Sequence, residues 1–140
     1  MRTALDTNVI SELLEGQTRA GAVTHHLRQL QGQGPLLICG VVYSELHARR
    51  NATRALLDTF LDRTGIDIDS GSTLEIWAEA GRANTDFHAR RRATGVSGAR
   101  SVLPDLLIGA HAQLQADRLF TLNPRDFSDF PALKIVTLEP

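Results

Sequence analysis

Cysteine is nearly absent from this 140-residue chain: Cys39 is the only one. A lone cysteine excludes an internal disulfide and a thiolate metal cluster. It stands in the apolar stretch Leu36-Leu37-Ile38-Cys39 and reads as a small buried hydrophobe. Long hydrophobic runs are missing too, since no apolar stretch approaches the roughly 20 residues that span a bilayer. The N-terminus enters a strand directly, without the basic-then-apolar layout of a signal peptide. Together these absences predict a cytoplasmic protein that does not engage a membrane. An excess of either charge is also lacking. The net charge of −1 argues against a protein that coats nucleic acid through a generally basic surface. The five histidines show no metal-ligand spacing; His25, His26, His47 and His111 are read as structural or surface residues. No Ser/His/Asp set or glycine-rich phosphate loop stands out.

What is present is an ordinary globular balance, 42% hydrophobic and 22% charged, in a length suited to one domain over residues 1–140. Strand and helix signals alternate. Short strands are expected at Thr3 to Asp6, Leu36 to Cys39, Ile66 to Ile68, Leu119 to Thr121 and Ile135 to Thr137. Helices are expected from about Asn8 to Glu15, from a Thr18 cap to Gly32, from Val41 to Arg50, from Thr53 to Arg63, from Ser72 to Ala93 and from Pro104 to Gln115. The segment from Thr94 to Val102 reads as a mobile loop. Such alternation predicts a mostly parallel sheet covered by helices on both faces.

Within that frame three carboxylates recur after strands, near the starts of apolar helices: Asp6, Glu45 and Asp105. Ligands of open α/β sheets bind beyond the carboxyl ends of the strands, where these acids are expected to converge. At about 100° per residue, Glu45 shares an arc with Val41, Val42 and Leu46, the inward side of its helix. A buried carboxylate needs a cation or hydrogen-bond donors; Arg49, one turn on, offers an ordinary ion pair as the alternative. Asp105 follows Pro104 in a first helical turn, where the helix dipole alone also accounts for an acid. Its face carries Gly109, Ala112 and Ala116, consistent with close packing against a strand. Asp6 has the same capping alternative. Gathering all three without a cation is repulsive, whereas Mg²⁺ takes oxygen ligands, keeps waters and is shared with substrate phosphates.

Four segments carry a wider likeness: Leu5-Asp6-Thr7-Asn8-Val9-Ile10, Tyr43-Ser44-Glu45-Leu46, Pro104-Asp105-Leu106-Leu107-Ile108-Gly109-Ala110, and Leu119-Phe120-Thr121-Leu122-Asn123-Pro124-Arg125-Asp126-Phe127. In order and spacing the chain resembles the PIN-domain ribonucleases, and more narrowly the small VapC-type toxins of bacterial toxin–antitoxin pairs. The resemblance implies a three-layer α/β/α sandwich with a mostly parallel central sheet of about five strands. It also implies RNA cleavage dependent on Mg²⁺ or Mn²⁺, homodimerisation, and neutralisation by a small cognate antitoxin. Asp6, Glu45 and Asp105 match the family's first three acids and are the expected metal ligands and catalytic groups. Where the family often has a fourth acid this chain has Asn123, which brings an amide oxygen but no charge. Asp126 is the neighbouring alternative, although Asn123-Pro124-Arg125-Asp126 also has good turn chemistry. Thr7, Asn8 and Thr121 are expected to hydrogen-bond the acids or a metal-bound water.

Arginine carries nearly all the positive charge, Lys134 being the sole lysine. Arg82, Arg90, Arg91, Arg92 and Arg100 form a local basic stretch opposed only by Asp86. Arginine's planar fork suits phosphate, so Arg90, Arg91, Arg92 and Arg100 are the expected RNA contacts. A solvated helix end and the base composition of the genome are the competing explanations. The apolar helices around Ile10 and Leu14 and from Thr53 to Leu61 are either partner-contact surfaces or core. The alternatives to a toxin nuclease are a housekeeping PIN nuclease in RNA processing and a non-catalytic RNA- or partner-binding domain.

Overall fold

The computed structural model describes residues 1–95 and 102–138. The chain runs β1 (Thr3–Leu5), α1 (Thr7–Glu15), α2 (Ala20–Gln31), β2 (Leu36–Cys39), α3 (Gly40–Leu46), α4 (Arg54–Thr64), β3 (Ile66–Asp69), α5 (Leu74–Ala93), α6 (Leu103–Gln115), β4 (Arg118–Phe120), a 3-10 turn (Pro124–Phe127) and β5 (Ile135–Val136). The five strands form one sheet in the order β3-β2-β1-β4-β5, every pair parallel. Thr3 lies opposite Leu36 on one side and Arg118 on the other. β1, β2 and β4 are buried along their whole length, as strands covered on both faces must be. Right-handed crossovers put α1 to α4 on one face and α5, α6 and the 3-10 turn on the other. In keeping with this, α1 packs on α2 and α3, α5 on α6, and α6 on the turn. The expected three-layer α/β arrangement is the observed one.

The order of the strands matters for function. From β1 the chain winds outward through β2 to β3, then crosses back over β1 to begin β4 and winds the other way to β5. The reversal lies between β1 and β4, and such switch points open a crevice at the carboxyl ends of their strands.

Local chemistry explains most element ends. Thr53 and Thr73 cap α4 and α5 by accepting from the amides of Leu56 and Ile76. Gly16 and Gly65 close α1 and α4 in the left-handed region, at φ 60° and 70°. Three expectations need correction. Thr18 does not cap α2, which begins after Arg19 without a side-chain cap; instead the Glu12 carboxylate, buried in α1, accepts from the Arg19 amide at 2.9 Å. The α3 helix stops at Leu46 rather than Arg50, so Glu45 sits in its last turn and not near its start. Gly109 packs on a ring rather than a strand: a Cβ there would stand 2.5 Å from Phe130 Cε2. Ile10 is core, fully buried, and is no contact surface. Cys39 is buried as expected, and burial pushes its thiol pKa up.

Candidate active site

Asp6 follows the last residue of β1 and caps α1, its Oδ1 accepting from the Thr7 amide at 2.7 Å. Its backbone continues the sheet, since the Asp6 amide donates to the Phe120 carbonyl at 3.0 Å. Its other oxygen, Oδ2, accepts from the Thr121 hydroxyl at 2.7 Å across the β1–β4 crevice. Thr121 comes directly after β4 and is completely buried, and Asp6 is 4% exposed. The carboxylate therefore lies beneath the switch point, gripped from both of its strands.

Burial is the main influence on Asp6, and it holds the carboxyl above the ordinary aspartate pKa. The Thr121 and Thr7 hydrogen bonds oppose that shift, while the nearby charges of Glu45 and Asp126 reinforce it. Thus the protein places an acid where ionisation is disfavoured and surrounds it with two more acids. Glu45 enters from α3 through a single bridge, the Thr7 hydroxyl donating to Oε1 at 2.6 Å. Arg49 does not pair with Glu45, as the helical spacing allowed; its Nη1 reaches Glu15 Oε1 on α1 at 2.6 Å. Thr7 consequently ties two acids together, its amide to Asp6 and its hydroxyl to Glu45.

Asn8 and Asn123 complete the network on the β4 side. Asn8 Oδ1 accepts from the Leu122 amide at 3.1 Å, and Asn8 Nδ2 approaches Thr121 Oγ1 at 3.4 Å. Thr121 Oγ1 also accepts from the Asn123 amide at 3.0 Å. These bonds orient the Thr121 hydroxyl so that its proton points at Asp6. Asn123 Nδ2 then donates to Asp126 Oδ2 at 2.9 Å. The turn chemistry of Asn123-Pro124-Arg125-Asp126 is realised as the 3-10 turn, and that same turn brings Asp126 within electrostatic reach of Asp6. Asn123 and Asp126 are therefore linked members of one corner rather than exclusive choices.

Asp105 lies in the first turn of α6 and is half-buried. It lines a small cleft with Asp126, Arg125, Arg90, Phe87 and Asp129, so Asp126 adjoins both Asp6 and the Asp105 cleft. Among the described residues no three His, Cys, Asp or Glu side chains gather tightly enough to hold an ion alone. The donor chemistry is nonetheless all oxygen and net negative, which suits a hard divalent ion that keeps most of its waters and completes its shell with substrate phosphate.

Residues 3–133 match the sequence pattern of the PIN domain. The chain belongs to the PIN-domain family. Its fold is similar to that of several solved structures. They include VapBC2 from Rickettsia felis bound to a fragment of its promoter DNA (TM-score 0.70, 22% identity, 99% of this chain and 100% of that one). VapBC-1 from nontypeable Haemophilus influenzae gives 0.67 at 22% identity over 98% of each chain, and a toxin–antitoxin complex from Klebsiella pneumoniae gives 0.59 at 24% over 96% of each. No curated protein sequence matches the chain.

Of the expected RNA contacts in this PIN domain, Arg100 lies outside the described residues, as does most of the loop expected from Thr94 to Val102. Arg90 is engaged by both oxygens of Asp129, Nη2 to Oδ2 at 3.2 Å, and Arg91 lies over the Phe87 ring with 5.4 Å to its centroid. Arg92 is exposed at the end of α5. Arg82 pairs with Glu79 and Asp86 along its own helix. One buried polar residue was missed from sequence. Asp129 follows the 3-10 turn beside the buried Phe130, and no local pattern marks it. His111, read as structural, has its Nε2 2.8 Å from Asp69 Oδ2 at the end of β3, a pairing across 42 residues with no sequence signal. Among the described residues no helix is long and apolar enough to cross a membrane.

Proposed function

We propose that residues 1–140 act as one PIN domain, a metal-dependent endoribonuclease that is the toxin of a toxin–antitoxin pair. The observation that carries the reading is the buried Asp6 carboxylate at the β1–β4 switch point, hydrogen-bonded by Thr7 and Thr121 and crowded by Glu45 and Asp126. Asp6, Asp105 and Glu45 would hold the ion, Mg²⁺ or Mn²⁺, mostly through its waters. Such an ion lowers the pKa of bound water and offsets charge developing on the phosphate. Asp6 is kept aligned by Thr7 and Thr121. Glu45, fixed by the Thr7 hydroxyl, orients the attacking water and takes its proton. Asn123 holds Asp126 and leaves its own amide oxygen for a water, while Asn8 keeps the Thr121 hydroxyl turned to Asp6. Arg90, Arg91 and Arg92, and Arg100 beyond them in sequence, supply charge-assisted hydrogen bonds to RNA phosphates.

The toxin assignment is supported by the similar folds, which include two VapBC structures and a toxin–antitoxin complex. A small cognate antitoxin is the proposed partner, in the cytoplasm. A homodimer is supported by the exposed apolar side chains of Leu74, Trp77 and Leu103. The deciding experiment incubates partner-free protein with structured RNAs and Mg²⁺ or Mn²⁺, beside Asp6→Asn and Glu45→Gln. Cleavage is expected only with metal and only by the unsubstituted chain. Metal-independent cleavage, or full activity in both variants, refutes the mechanism; RNA bound but never cut leaves a binding module.

A further inference from the structure

Asp129 is the most deeply buried carboxylate that the mechanism above leaves without a task. It is 7% exposed, and both of its oxygens are turned to the Arg90 guanidinium in a two-pronged pair. Its backbone is held as well: the Asp129 carbonyl accepts from Arg82 Nη2 at 2.9 Å, and Arg82 also lies over the ring of the next residue, Phe130, at 5.7 Å. Phe130 in turn fills the space left by Gly109 on α6. Asp129 is therefore fixed to the two helices α5 and α6 and has little freedom to follow Arg90.

Arg90 has the opposite character. Its side chain is 49% exposed and lies over the Phe87 ring at 5.6 Å. It lines the cleft that also carries Asp105 and Asp126. A guanidinium has five N–H donors in a planar fork, and a carboxylate that takes two of them leaves the others directed elsewhere. An arginine held at one edge by a fixed carboxylate and on one face by a ring loses less entropy on binding an anion than a free surface arginine.

Resting on the nuclease reading, we infer that Asp129 is a positioning residue. It aims Arg90 across the Asp105–Asp126 cleft so that the guanidinium grips a phosphate oxygen of the RNA next to the bond being cut. Electrostatics alone makes the opposite prediction. Removing an acid beside a phosphate site lowers repulsion, so neutralising Asp129 should tighten RNA binding if its only effect is charge.

The test measures the affinity of a short fluorescent oligoribonucleotide by anisotropy, without added metal, and KM and kcat for cleavage of the same sequence with Mn²⁺. The proteins are wild type, Asp129→Asn, Arg90→Ala and the double variant, with melting temperature recorded for each. Positioning predicts that Asp129→Asn weakens binding and raises KM about 5- to 10-fold, a loss of about 1 to 1.4 kcal/mol, with kcat changed less than about threefold. Because Asp129 acts through Arg90, adding Asp129→Asn to Arg90→Ala should change neither affinity nor KM further, whatever it does to melting temperature. Unchanged or tighter binding by Asp129→Asn, or additive losses in the double variant, overturns the inference. If wild type cuts no RNA with any metal, the nuclease reading fails, and the anisotropy series alone still decides the role of Asp129.

Discussion

The Thr121 hydroxyl is the best place to test whether the site is built as described. Thr121→Val keeps the shape of a fully buried side chain and deletes the donor to Asp6 Oδ2 at 2.7 Å. A hydrogen bond to a charged group contributes about 1.5–3 kcal/mol. The other losses are smaller: Asn8 Nδ2 is already at 3.4 Å, and Asn123 is exposed, so its amide can turn to water. The expected cost is about 2 kcal/mol at neutral pH, or a fall in Tm of roughly 6–10 °C for a chain of this length.

The pH dependence makes the test specific. Asp6 has a folded-state pKa raised above the ordinary value of about 3.9, so the folded state holds its proton more tightly than the unfolded one. Stability linked to Asp6 therefore declines as pH rises from the unfolded value through the folded one. Removing the hydroxyl deletes an influence that lowers the pKa, so the variant's folded pKa lies higher still and its decline is larger. The difference from wild type is then full above the variant's folded pKa and shrinks on acidification. Calorimetric melts in a chelator from pH 4.5 to pH 8 should show the two Tm curves converging toward acid. A gap of equal size at every pH would mean that Thr121 contributes packing alone and that no charge-assisted bond to Asp6 exists.

Further outcomes follow from other parts of the structure. Glu45→Gln should lower kcat at least about 100-fold with little change in Tm, because its amide oxygen still accepts from Thr7; near-normal kcat in a gel-based cleavage assay removes Glu45 from the chemistry. Gly109→Ala drives a methyl into the buried Phe130 ring and should cost about 1–3 kcal/mol in urea unfolding. The hydrogen bond from His111 is the main reason that the Asp69 carboxyl is held below its ordinary pKa. Its stabilising effect is present above that ordinary value and lost as pH falls through the folded pKa, so Asp69→Asn should lower Tm at pH 7 and matter progressively less below about pH 4. Metal and RNA should bind cooperatively, since the dispersed acids leave ligand positions for phosphate. Isothermal titration of Mg²⁺ with and without an uncleavable oligonucleotide should give at least about a fivefold difference in Kd, and equal affinities would refute sharing.

Much of the fold was legible because it depends on short-range chemistry. Apolar runs such as Leu36 to Cys39 and cap residues such as Thr53 and Gly65 locate strands and helix ends within a few residues. Helix length was less secure. The α3 helix stops at Leu46 despite helix-compatible residues as far as Arg50, because neither capping nor periodicity marks its end, and His47 and Ala48 donate instead to the last carbonyls as a turn. In the candidate site, residue types were legible: Asp6, Glu45, Thr7, Asn8 and Thr121 were singled out in the sequence, and hydrogen bonds join them into one group. Their connections were not legible. The hydrogen bond from Thr121 to Asp6 spans 115 residues, and only the sheet order, with β4 beside β1, brings them together. Asp129 shows the limit most clearly: it is buried by Arg90 and Arg82 arriving from α5, and its own sequence neighbours carry no trace of them.

The choice of partners for the acids bears directly on what the site is for. The chain has ample arginine, and its arginines pair with Glu12, Glu15, Asp58, Glu79, Asp86 and Asp129. Among the described residues none pairs with Asp6 or Glu45, although Arg49 follows Glu45 by only four residues. A structural role for these two acids would be served best by such a cation, because an ion pair in a partly buried position removes the penalty of the uncompensated charge. Threonine hydroxyls do something different. They satisfy the lone pairs and fix the geometry, yet leave the negative charge uncancelled and the Asp6 pKa raised. Such a site is oriented without being neutralised, and it favours a mobile cation that can enter, meet a phosphate and leave. An arginine at the same position would stabilise the fold and occupy the place where that cation must bind.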